Sequence, residues 1–271
     1  MFRFSRSIKS IIASVLLLII FELSLYRSFS FYLLVLASLV LFLALFAWIE
    51  KKSILSREVI IKMILPLLLL ISLNGFIFFE ASTIFIQLVI ILAAICFYLF
   101  FSRLKIPLPK EYSVIVTYYW LDLISFLTAF LYFLFIQNLL FVKNFPIWFL
   151  MVLITLGAYL IFYYVLWARS KEGRIVPLFS SLFALILLES FLIMSFWNVD
   201  PVPKSLLMVI LLYFYLGVLD LKLRGELTGK KIIEYLLISI ITTLIIILTI
   251  KWWEMLEGWY FRRLEYDRDN N

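Results

Sequence analysis

Apolar runs follow one another from Ile11 to Ile250, separated by short segments rich in Lys, Arg, Pro or Asn. A helix needs about 20 mostly apolar residues to cross a hydrocarbon core of about 30 Å. The pattern predicts an all-α, polytopic transmembrane helical bundle of about nine spans. They fall near 10–27, 29–49, 59–79, 83–102, 112–136, 146–168, 175–197, 204–221 and 232–250. Residues 1–251 read as a single transmembrane domain, and 252–271 as an aromatic interfacial segment with a polar C-terminal tail. An eight-span arrangement with the last apolar run lying flat is the alternative.

Local chemistry refines the elements. Pro66 falls inside the third span, where its missing N–H and ring predict a kink. Ser82 or Thr83 is placed to cap the fourth helix. Prolines 107 and 109 keep 103–110 from being helical throughout, and Asn138 to Pro146 reads as a turn. Tyr163, Tyr164 and Trp167 fit an aromatic belt at the membrane interface.

Composition agrees: 66% of the 271 residues are hydrophobic, against about half in a soluble domain. The basic start (Arg3, Arg6, Lys9) resembles a secretory signal, but no small-x-small cleavage site follows, so it reads as an uncleaved first span. The net charge of +7 is spread in small groups between apolar runs, which argues against nucleic-acid binding. Such groups set topology and meet anionic lipid heads. With the N-terminus in the cytoplasm, the cytoplasmic segments hold 17 of the 24 basic residues. The outer turns hold three (Arg27, Lys143, Lys204), and the C-terminal tail holds the other four. This places the protein in the cytoplasmic (inner) membrane as a multi-pass protein.

Carboxylates inside spans are costly and draw attention. Glu189 lies deep in the seventh span, and Glu22 lies in the first. Asp122 sits in the fifth, near mid-membrane, with Tyr118, Tyr119 and Ser125 on the same helix face. No Lys or Arg falls in a predicted membrane interior, so these acids are expected to lack basic partners at depth. The plainer reading is that each carboxyl hydrogen-bonds a neighbour and fixes helix packing. Asn198 and Asp200, in the Pro-containing turn after the seventh span, form a candidate outer-face contact.

Missing residues narrow the chemistry further. With no histidine and one cysteine, Cys96, histidine-based nucleophile pairs, imidazole metal sites and thiolate clusters are excluded. Cys96, inside an apolar run, reads as a small buried residue. No cofactor, metal or catalytic residue is indicated. Few glycines and prolines lie at mid-span, unlike the broken helices of many carriers.

The last third carries a recognisable order: Glu189, Ser195-Phe196-Trp197, Pro201, Tyr213, Gly217, Lys230-Lys231, Tyr235, Thr249 and Trp252. In this it resembles multi-spanning membrane proteins of unknown function from candidate-phyla bacteria, a resemblance that implies no activity and no residue role. The expected function is a structural or accessory membrane subunit, packing against a membrane-protein partner or a second copy. One alternative is a small proton-coupled carrier using Glu189 and Asp122. Another is a membrane enzyme acting on a lipid-linked substrate.

Overall fold

The computed structural model describes residues 6–25, 31–50, 56–79, 83–103, 114–143, 145–169, 175–197, 199–223 and 225–269, with side chains over somewhat less, leaving out 6, 24–25, 31, 57, 103, 114–119 and 251–269. These residues build nine helices and no strand: α1 (Arg6–Leu25), α2 (Phe31–Glu50), α3 (Arg57–Phe79), α4 (Thr83–Arg103), α5 (Val114–Lys143), α6 (Ile147–Arg169), α7 (Ile175–Ser195), α8 (Pro201–Leu223) and α9 (Gly229–Asp269). Over their described residues, α2 to α9 are each long and apolar enough to cross a membrane. Backbone groups in hydrocarbon must be satisfied internally, and a helix does so within one segment.

The chain forms two compact units, residues 1–193 and 194–271. Within the first, α3 is the central element and packs against α2, α4, α5 and α6. On the other side, α1 lies against α4 and α2. Phe42 and Phe97 join α2 to α4 with ring centroids 6.1 Å apart, and Phe21 of α1 stacks on Phe97 at 6.3 Å. The Phe162 ring of α6 stacks on Phe183 of α7 at 3.8 Å. In the second unit α8 packs along α9, and the rings of Tyr213 and Tyr235 meet at 5.5 Å.

Lipid tails are as apolar as these side chains, so close packing and polar contacts must hold the helices together. The in-span glycines supply close packing. A Cβ on Gly157 would lie 2.0 Å from the Tyr132 ring, one on Gly75 2.2 Å from Phe135, and one on Gly217 2.2 Å from Tyr235. Each glycine is a socket for an aromatic ring of a neighbouring helix. Tyr132 also donates a hydrogen bond to the Leu153 carbonyl at 2.6 Å. Many span hydroxyls are satisfied on their own helix; Ser72, Thr128 and Ser180 each donate to the carbonyl four residues earlier.

Several expected boundaries move. The segment from Asn138 continues α5 to Lys143, so the turn before α6 is shorter than the sequence suggests. Helix α9 continues past 250 to Asp269, whereas Pro66 lies inside α3 as expected. Tyr164 is buried, packed beside Trp167 with centroids 6.5 Å apart. It belongs to the inward stripe of α6 with Ile154, Ala158, Ile161 and Val165. Cys96 is buried, as its apolar surroundings implied. Residues 104–113, and the turn proposed to cap α4 at Ser82, fall outside the described residues.

Candidate functional site

The strongest polar feature lies between α5 and α6. These helices run antiparallel through a short turn, which brings the start of α5 beside the end of α6. Arg169, the last residue of α6, donates from its guanidinium to the carboxylate of Asp122, in the third turn of α5. The Arg169 side chain is 7% exposed and that of Asp122 26%. An ion pair so shielded from solvent is a strong, charge-assisted contact.

This corrects one expectation from sequence: Asp122 has a basic partner. The long Arg169 side chain, entering from the helix end, reaches it. Ser125 is buried, but its hydroxyl donates to the Leu121 carbonyl at 2.7 Å. Tyr118 and Tyr119 are helical, with side chains outside the described set.

Glu22 is occupied elsewhere. Gln87 of α4 donates to its carboxylate at 3.0 Å across the α1–α4 contact. Glu189 is exposed on the outward side of α7, and no described residue hydrogen-bonds or pairs with it. Among the described residues no hydrogen bond or ion pair joins Glu22, Asp122 and Glu189 to one another. Asp200 is exposed at the start of the second unit, and Asn198 lies outside the described residues. Lys204, counted from sequence as an outer-turn charge, is buried at the N-terminal end of α8.

Two buried polar contacts escaped the sequence reading. Asn74 of α3 donates to Ser38 of α2 at 3.1 Å and to the Leu70 carbonyl at 2.8 Å. Glu50, the last residue of α2, is 1% exposed, with the Lys62 ammonium of α3 3.8 Å away. Lys62 also hydrogen-bonds Glu58 at 2.7 Å. The Glu58–Lys62 spacing of four was legible as a helix-surface pair, whereas the Glu50 and Ser38 contacts needed the packing of α2 on α3. Nearby, the ammonium of Lys9 lies 4.7 Å from the Trp48 ring centroid.

These contacts tie helices in pairs: α1 to α4, α2 to α3, and α5 to α6. Among the described residues no three His, Cys, Asp or Glu side chains gather to hold a metal ion. Apolar helices of spanning length, cross-linked by polar pairs, define a polytopic integral membrane protein. The chain belongs to the family described as Protein of unknown function (DUF5656), whose model matches residues 20–249. No curated protein and no solved structure matches it.

Proposed function

We propose that the chain is a structural or accessory membrane subunit, a helical membrane protein that docks other membrane-embedded protein. The observation that carries this reading is the use made of Asp122. Its carboxylate is committed to Arg169 on the adjacent helix, and Glu22 is likewise committed to Gln87. A group that carries protons or attacks a substrate must exchange partners, whereas one held by a neighbouring helix acts as a clamp. The outward faces of α7 and α9, with Leu178, Leu182, Ile233 and Leu248 all exposed, leave surface for lipid or a protein partner.

The same proposal seats the protein in the cytoplasmic membrane with its N-terminus inside. Supporting it, 17 of 24 basic residues fall on one side in that threading. The basic segments near 51–57, 103–110, 169–174 and 222–231 would then lie against anionic lipid heads.

Solubilisation of native membranes in mild detergent, followed by native electrophoresis, tests the central claim. An assembly heavier than a single 32.1 kDa chain in its micelle is expected. Saturable uptake by the purified chain in proteoliposomes, lost on Glu189→Gln, would replace this reading with the carrier.

A further inference from the structure

We draw no further inference here: the strongest candidate, the side-chain cluster of Glu50, Glu58 and Lys62 where the end of α2 meets the start of α3, holds its Glu50 carboxylate 1% exposed and 3.8 Å from the Lys62 ammonium, and nothing in the structure shows a ligand or partner that would reach it.

Discussion

Arg169 closes α6 and hydrogen-bonds the carboxylate of Asp122 near the beginning of α5. The two residues are 47 apart in sequence, and the pair exists because the helices run antiparallel with a short connection. It fastens the ends of these helices that lie away from their connecting turn. If it is a clamp, Asp122→Asn and Arg169→Gln each lower the melting temperature in detergent. The double variant then loses less than the sum of the two, with a coupling of about 1–3 kcal/mol. Strict additivity would show that the two groups do not sense each other.

Gly157 gives a sharper steric prediction. The space for a Cβ is filled by Tyr132, so Gly157→Ala must displace an aromatic ring in a packed interior and should cost about 1–3 kcal/mol. Gly229, with nothing within 4 Å of such a Cβ, is the matched control, and Gly229→Ala should leave the melting curve in place. Equal effects at the two positions would refute the socket interpretation.

The Tyr132 hydroxyl can be separated from its ring. Tyr132→Phe keeps the ring against Gly157 but leaves the Leu153 carbonyl without this donor. A loss of about 0.5–1.5 kcal/mol is expected, smaller than that for Tyr132→Ala, which also opens a cavity. If Tyr132→Phe proves as damaging as Tyr132→Ala, the hydrogen bond matters more than the packing.

Across α1 and α4, Glu22→Leu alone strands the Gln87 amide in a partly buried site. Glu22→Leu combined with Gln87→Leu removes both partners and should recover most of the lost stability, since replacing a buried polar pair by apolar groups is often close to neutral. Thermal melts of the single and double variants decide it. A double variant no better than Glu22→Leu would mean that the carboxylate has another essential contact.

Cys96 offers a probe of the fold as a whole. At 1% exposure inside α4, its thiol should resist a membrane-permeant maleimide in intact membranes and react fully once the chain is unfolded in dodecyl sulfate. Rapid labelling of the native protein would contradict the packing of α4 against α1.

The helices themselves could be read from sequence because each is long, apolar and bounded by charges or prolines, and lipid leaves such a segment few alternatives. Boundaries were less legible where a polar residue occurred within a helix. Asn138 and Lys143 looked like a turn, yet a helix end near the interface tolerates both, and α5 runs to Lys143. The apparent solitude of Asp122 was misjudged because its partner, Arg169, lies on another helix 47 residues away. Glu189 stands out in the sequence as a carboxylate inside an apolar run, but nothing in a one-dimensional pattern says toward which side of its helix a carboxyl faces.

Hydrophobic length and the placement of charge, both local properties, therefore determined the class of protein, the number and type of its helices, and Cys96 as a buried residue. Tertiary structure alone decided which helix meets which. It set Arg169 against Asp122, Gln87 against Glu22 and Tyr132 into Gly157, and it left Glu189 facing outward. The physical reason is that in lipid every side of an apolar helix is equally comfortable, so hydropathy carries almost no information about facing. Shape and a few polar contacts make that choice, and both depend on residues far apart in the chain.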